Sequence, residues 1–334
     1  MKVLVTGGAG FIGSFLSESL LHRGHHVEVI DDLSTGSLDN VNQLTSHPNF
    51  RISVDTIFNE NTLSEHVDRC DAIVHLAAAV GVRLIVESPV RTIETNVHGT
   101  EAVLRQAEKK RKLVIIASTS EVYGKRTNVP FKEDSDLLLG PPSRHRWAYA
   151  TSKALDEFLG LAYLKERQLP VIVVRLFNTI GPRQIGRYGM VVPTFVSQAL
   201  AEEPITVFGS GSQTRSFTDV NDVVRALIGL LDEPKAVGQV INIGNPEEIS
   251  ILALAELVKT VARSKSRIVT VPYEKAYEAG FEDMPRRVPD ISKIRSLTGW
   301  KPTVMLQSSI ERVVRSAQET TTTRGNSHRN DELK

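Results

Sequence analysis

The chain has 334 residues, 41% of them hydrophobic, and its 40 basic against 39 acidic residues leave a formal charge of +1. That length supports one large domain or two intimate ones with ample core, and near neutrality gives no electrostatic case for a nucleic-acid or membrane surface as partner. One cysteine, Cys70, excludes an internal disulfide framework, no apolar run reaches membrane-spanning length, and a first strand at residue 2 leaves no room for a cleavable signal, so a cytoplasmic protein is expected.

Taken in chain order, Val3-Leu4-Val5 reads as a buried parallel strand that runs into Thr6-Gly7-Gly8-Ala9-Gly10-Phe11-Ile12-Gly13. Gly7 permits a tight turn, Gly10 lets backbone approach a pyrophosphate, and Gly13 lets a helix pack closely on the strand. Phe11 and Ile12 open that helix, whose Phe15, Leu16, Leu20 and Leu21 repeat at helical spacing. A second strand, 27–30, ends at Asp31 and Asp32, where a dinucleotide ribose needs a carboxylate. A carboxylate there accepts from ribose hydroxyls and repels a 2′-phosphate, which predicts NAD rather than NADP, with Asp31 the principal ligand. Asp32 suits the ribose or the cap of the turn that follows it equally well.

Further short β-branched runs at 71–76, 113–118 and 171–177 alternate with helical patterns at 93–109 and 149–167. The alternation predicts an α/β fold, a Rossmann-like doubly wound parallel sheet. Beyond residue 178 glycine and proline are frequent and short elements mix, which reads as a smaller mixed α/β lobe for substrate. The expected division is 1–177 for the cofactor and 178–316 mainly for substrate, with some segments returning to the first layer. The polar stretch 317–334, with four consecutive threonines, is expected to be disordered.

Tyr149 and Lys153 stand four apart at the start of a helix, so their side chains share a face. A phenol with a reference pKa of about 10 is a poor base at neutral pH, and lowering it by ~3 units takes ~4 kcal/mol of differential interaction. A lysine ammonium and a bound nicotinamide cation together suffice in a dry cleft. The strand-end hydroxyls Ser118, Thr119 and Ser120 precede this pair at a spacing that suits a parallel sheet, and they can hold a substrate hydroxyl while Tyr149 removes its proton. No metal-ligand set is evident.

With TGGAGFIG at 6–13, DDLSTG at 31–36, HLAA at 75–78, STSEVYG at 118–124, YATSK at 149–153, RLFNTIGPR at 175–183 and GSGSQTRSFTDVNDV at 209–223, the chain resembles the extended short-chain dehydrogenases/reductases. The resemblance runs from residue 2 to about 315. It implies tightly held NAD, a UDP-sugar substrate and a homodimer built through the two long helices. It places Leu76 and Ala77 against the cofactor and Asp55 at the adenine. His75 fits that strand end or a plain core histidine. Asn178, Arg183 and Arg215 match positions that contact the nucleotide or its phosphates, which a guanidinium fork suits. Arg187 and Tyr188 lie in a glycine-bounded loop that either closes over the sugar or stays on the surface.

Members of this family oxidise the sugar at C4 and then epimerise, dehydrate or decarboxylate it. Thr119-Ser120-Glu121-Val122-Tyr123 is similar to the UDP-glucuronate decarboxylases, and the absence of the dehydratases' aspartate argues against dehydration. A C4 ketone is β to the C6 carboxylate, so CO₂ can leave as an enolate forms. Glu121 then orients the sugar, delivers a proton to C5, or simply caps a loop. Residues 276–291 are similar to a decarboxylase segment in which Arg287 matches a catalytic arginine; Arg286 and Arg287 also suit ion pairs with Glu282 and Asp283. The stretch 144–147 carries the same likeness. Against this, Gly81-Val82-Arg83 is similar to 4-epimerases, and Arg83 suits a phosphate, a carboxylate or a solvated loop. The expected function is therefore NAD-dependent UDP-glucuronate decarboxylation to UDP-xylose. The alternatives are a UDP-sugar 4-epimerase and a non-catalytic NAD-binding protein.

Overall fold

Valine- and isoleucine-rich runs, buried on both faces, build the central layer. The computed structural model describes all residues except 81–87, 187–188, 273–283, 285 and 332–334, with side chains described as far as Glu319. The first half supplies β1 (Lys2–Thr6), α1 (Phe11–His22), β2 (His26–Asp31), β3 (Phe50–Val54), α2 (Glu60–Arg69), β4 (Ala72–His75), α3 (Pro89–Glu108), β5 (Leu113–Thr119), α4 (Ala148–Arg167) and β6 (Val171–Leu176). The second half adds β7 (Thr179–Ile180), α5 (Val191–Leu200), β8 (Ile205–Phe208), β9 (Thr214–Ser216), β10 (Thr218–Asp219), α6 (Val220–Leu231) and β11 (Val240–Ile243). It ends with β12 (Glu248–Ser250), α7 (Ile251–Ala262), β13 (Ile268–Val271), α8 (Ser292–Thr298) and α9 (Leu306–Asp331).

Seven strands form one parallel sheet in the order β11-β6-β5-β4-β1-β2-β3. This is the doubly wound arrangement that the alternating pattern predicts, with the order reversing between β1 and β4. Register pairs Thr6 with His75, His75 with Ile116, and Ser118 with Arg175. The carboxyl ends of β1, β4, β5 and β6 therefore meet along one edge, where ligands of such sheets bind. One core cluster holds Val3, Val5 and Leu16 with α6, and a second holds Leu4, Ile73 and Ile116 with Val103 and Leu104 of α3. A separate apolar cluster, including Phe195, Val207, Leu254 and Ile310, supports the distal elements.

Two boundaries differ from the pattern. α3 starts four residues ahead of the predicted 93 because Pro89 occupies its first turn, where a missing N–H costs nothing. α9 continues to Asp331, through the polar stretch expected to be disordered. Ile310, Val313 and Val314 bury its first turns, and extending an established helix carries no nucleation cost.

Candidate active site

The glycine turn is held by contacts that no side chain would fit. Gly7 has φ +70°, and a Cβ there would lie 2.8 Å from the Ala77 amide nitrogen. At Gly13 a Cβ would lie 2.2 Å from the Gly7 carbonyl oxygen. Gly10 is the N-cap of α1 and offers no side-chain cap, so the first N–H groups of the helix point to the crevice as an anion cradle. Asp31 ends β2, accepting from the Ala9 N–H at 2.8 Å through Oδ2 and from the Leu33 N–H at 2.9 Å through Oδ1. Burial raises the pKa of its carboxyl, against the pull of those backbone donors. Asp32 accepts from the Ser34 N–H at 2.9 Å and so caps its turn, while still lining the cavity. Asp55 also lines it, but Thr56, Asn59 and Thr62 occupy its carboxylate and, Thr62 first, hold its pKa down. Gly7, Gly10, Gly13, Phe11, Ile12, Leu76 and Ala77 share the same wall.

That wall belongs to a cavity of about 930 Å³ that runs from the glycine turn to the distal lobe. It has room for a dinucleotide and a second ligand, and the side-chain-free turn with a ribose-height carboxylate fits NAD. His75 stands outside the lining. It is 2% exposed, its Nδ1 lies 2.8 Å from Thr6 Oγ1, its Nε2 lies 3.2 Å from Thr100 Oγ1, and burial holds it neutral with a pKa of about 3. The plain core-histidine reading is the one its contacts support.

At the centre, Thr119 caps the one-turn helix Ser120–Tyr123, accepting the Glu121 N–H at 3.2 Å, and it hydrogen-bonds Tyr149. Ser118 points away from this pair, donating to Glu157, which is itself paired with Arg175 at 2.7 Å. The Arg175 guanidinium stacks 4.6 Å from the Tyr123 ring, and Tyr123 donates to Asn242 at 2.7 Å. This buried network locks β5, β6 and α4 together behind the hydroxyls. The Ser120 hydroxyl lines the cavity, buried and with no hydrogen-bond partner among the described residues.

Tyr149 is 8% exposed, and burial, followed by the Glu121 and Asp156 carboxylates, raises its pKa. The Lys153 ammonium lies 2.7 Å from Asp156 Oδ2, in an ion pair almost wholly buried on both sides. The hydrogen bond with Thr119 and the charge of Arg146 favour the phenolate.

Glu121 caps no element. Its Oε2 takes Arg146 and its Oε1 takes Arg287 at 3.4 Å. Burial raises its pKa, but Arg146, Arg287 and Arg215 outweigh that and hold the carboxyl at about 2. Arg287 is kept in place by backbone contacts on either side: Ser216 Oγ donates to its carbonyl at 3.0 Å, and the Phe131 N–H donates to Val288 at 2.7 Å. Arg286 turns outward to Glu248. The two arginines thus have partners other than the Glu282 and Asp283 of the sequence reading, which lie outside the described residues, as do Arg83, Arg187 and Tyr188.

Asn178 links the loop after β6 to β9 by donating to the Ser216 carbonyl at 2.9 Å. Arg183 reaches back to α1, contacting Ser14 and Glu18 at 3.2 Å and stacking 4.4 Å from the Phe15 ring. Arg215 is 6% exposed and donates to the Thr214 carbonyl at 2.8 Å. All three line the cavity. Arg146 also lines the cavity, and the sequence reading assigned it no role. Its signal was an arginine one helical turn ahead of Tyr149.

The depressed Glu121 pKa has a direct consequence. A carboxyl whose folded pKa lies below its ordinary 4.5 stabilises the fold above that pH and loses the contribution as pH falls toward about 2. Glu121→Gln is expected to be less stable than the parent at pH 7, because it strands two buried guanidiniums, and to lose the acid-sensitive step below pH 4.5. Thermal unfolding measured between pH 7 and pH 2.5 checks this. Parallel pH curves for the two proteins would contradict it.

Comparison with known proteins gives the same outline. The family model described as GDP-mannose 4,6 dehydratase matches residues 4–313. The chain belongs to this family. It is 43% identical over 319 residues to a UDP-N-acetyl-alpha-D-glucosaminuronate decarboxylase of Bacillus cytotoxicus, covering 95% of this chain and 98% of that one. It is 37% identical over 313 residues to UDP-glucuronic acid decarboxylase 1 of Danio rerio, covering 94% and 72%. Among solved structures, the UDP-glucuronic acid 4-epimerase of Bacillus cereus, in complex with UDP-glucuronic acid and NAD, superposes with TM-score 0.86 at 31% identity, covering 96% and 100%. Proteins named as decarboxylases and a solved structure named as a 4-epimerase are thus both similar to this chain.

Proposed function

We propose that the protein is an NAD-dependent decarboxylase of a UDP-uronate, with UDP-glucuronate the substrate and UDP-xylose the product. The observation that carries this reading is the Glu121–Arg287 pair set beside Thr119 and Tyr149 in one cavity. The decarboxylase names of relatives at 36–43% identity support it, whereas epimerases and dehydratases appear among the structural neighbours at 28–31%. The Bacillus cytotoxicus relative favours an N-acetylated uronate as a second substrate to test.

Residues 1–177 would hold the cofactor and 178–316 mainly the nucleotide sugar. The turn at Gly7, Gly10 and Gly13, with Phe11 and Ile12, would receive the pyrophosphate, Asp31 and Asp32 the ribose, and Leu76 and Ala77 the cofactor face. NAD, when bound, supplies the reversible oxidation at the sugar's C4. Tyr149 takes the proton of the C4 hydroxyl, and Thr119 and Ser120 orient that hydroxyl. Lys153, held by Asp156, carries positive charge beneath the phenol. Arg287 faces the negative charge that develops as CO₂ leaves, which a guanidinium stabilises most in a dry site. Arg146 and Arg287 hold Glu121 as a carboxylate, which suits it to orient Arg287. Arg183 and Arg215 would serve the diphosphate.

Supplying UDP-glucuronate, its N-acetylated counterpart and UDP-glucose in parallel, and measuring released CO₂, tests the reading. CO₂ from a uronate supports it. Conversion without CO₂ would make the protein an epimerase.

α3 and α4 lie side by side and expose Val90, Ile93, Leu155 and Phe158 between 44% and 67%. This shared apolar face supports a homodimer. A solution mass of one chain would remove that reading. No helix among the described residues is long and apolar enough to cross a membrane. The lone, buried Cys70 supports a cytoplasmic setting.

A further inference from the structure

A chain of buried polar groups runs from the cofactor wall of the cavity into α4. Lys153 and Asp156 stand on that helix at 2% and 0% exposure, their ammonium and carboxylate 2.7 Å apart. Thr100, on the neighbouring α3, hydrogen-bonds the Asp156 carboxylate, and its Oγ1 lies 3.2 Å from His75 Nε2. His75 closes β4, and its Nδ1 lies 2.8 Å from the Thr6 hydroxyl at the end of β1. Thr6 in turn accepts, at 3.3 Å, from the N–H of Ala77, a residue of the cavity lining.

Hydrogen-bond chemistry gives this chain one direction. A carboxylate only accepts, so the Thr100 hydroxyl donates to Asp156 and its oxygen is left to accept from His75. Burial, and after it the Lys153 charge, keep His75 neutral, so its ring has a single N–H. That proton sits on Nε2, and Nδ1 accepts from Thr6. Both hydroxyls of the series thus give and receive, and the series ends on the carboxylate that holds Lys153.

Charge alone does not account for a carboxylate at this place. Burial raises the Asp156 pKa against the pull of Lys153 and Thr100. The negative charge of Asp156 also raises the pKa of Tyr149, which opposes the phenolate. Neither Asp156 nor Thr100 lines the cavity, so neither is placed to bind the sugar. What the carboxylate supplies is a fixed seat for the ammonium on the helix that carries the phenol.

We propose that Asp156 is a positioning residue, which fixes the Lys153 ammonium on the Tyr149 helix and is itself fixed by Thr100 and His75. Lys153 is thereby tied to Ala77 at the cofactor wall. The proposal rests on Tyr149 and Lys153 acting in oxidation at C4, which the decarboxylase and 4-epimerase readings share.

The test measures kcat and KM for consumption of UDP-glucuronate by the NAD-loaded protein, and reads the His75 tautomer by ¹⁵N NMR. Thr100→Val keeps the shape and removes the hydroxyl. It is expected to lower kcat about 10-fold, the lower end for a hydrogen bond to a charged group, with KM within about twofold. Thr100→Ser restores the hydroxyl and is expected to recover most of that loss. Asp156→Asn is expected to lower kcat as well, whereas removal of an opposing charge alone would raise it. The parent is expected to carry the His75 proton on Nε2 near pH 7. Parental kcat in Thr100→Val, parental or raised kcat in Asp156→Asn, or a proton on His75 Nδ1 would overturn the proposal. Equal losses in Thr100→Val and Thr100→Ser would do the same, reducing Thr100 to a packing residue. If Asp156→Asn does not fold, the two Thr100 variants and the His75 spectrum decide. Lys153→Met with parental kcat, or a parent that leaves UDP-glucuronate unchanged, would instead overturn the reading of the site on which the proposal rests.

Discussion

Tyr149→Phe is expected to fold, to keep its NAD content and to turn over about 10³-fold more slowly, within the 10²–10⁴ that a positioned acid–base group contributes. The phenol lies in the cavity wall, 8% exposed, hydrogen-bonded to Thr119 and close to Glu121 and Arg146. Removing one oxygen leaves the ring's packing intact, so stability is expected to change by about 1 kcal/mol or less. Burial and then two carboxylates push the phenol's proton affinity up, while Thr119 and Arg146 pull it down. Steady-state kinetics, with binding of UDP measured separately, checks the expectation. A variant with parental kcat would mean that another group takes the C4 proton.

Gly13→Ala is expected to have an equally large effect by another route. The added methyl would sit 2.2 Å from the Gly7 carbonyl oxygen and 2.7 Å from the Gly8 Cα, both backbone atoms, so nothing flexible can yield. Either α1 shifts off the strand or the turn opens, and both dismantle the cradle for the pyrophosphate. Overpacking of this kind costs about 1–3 kcal/mol, occasionally more. The purified variant should carry little NAD and melt well below the parent. Thermal unfolding and the ratio of absorbance at 260 to 280 nm read both effects, and a variant unchanged in both would show that close helix–strand packing at Gly13 is not needed.

Periodicity made the parallel sheet legible, because strands buried on both faces read as apolar runs and their helices as 3.6-residue patterns. The glycine turn and Asp31 were legible for the same local reason: each feature is completed within about thirty residues. What the sequence did not carry is pairing between distant segments. Glu121 and Arg287 are 166 residues apart, and neither spacing nor composition says that their side chains meet. Arg146 escaped assignment because an arginine on a one-turn helix has no periodic partner. The i,i+4 spacing of Tyr149 and Lys153 was visible, but not that Asp156 would also pair with the ammonium. His75 left two readings open, and its contacts to Thr6 and Thr100 favour the core one.

The most direct measurement is proton NMR of UDP-glucuronate incubated with the NAD-loaded protein in D₂O. Loss of CO₂ leaves C5 to take its new hydrogen from solvent. The predicted product is therefore a pentose bearing one deuterium at C5, with its C4 configuration retained. Appearance of a sugar with its carboxylate intact and C4 inverted would contradict decarboxylation.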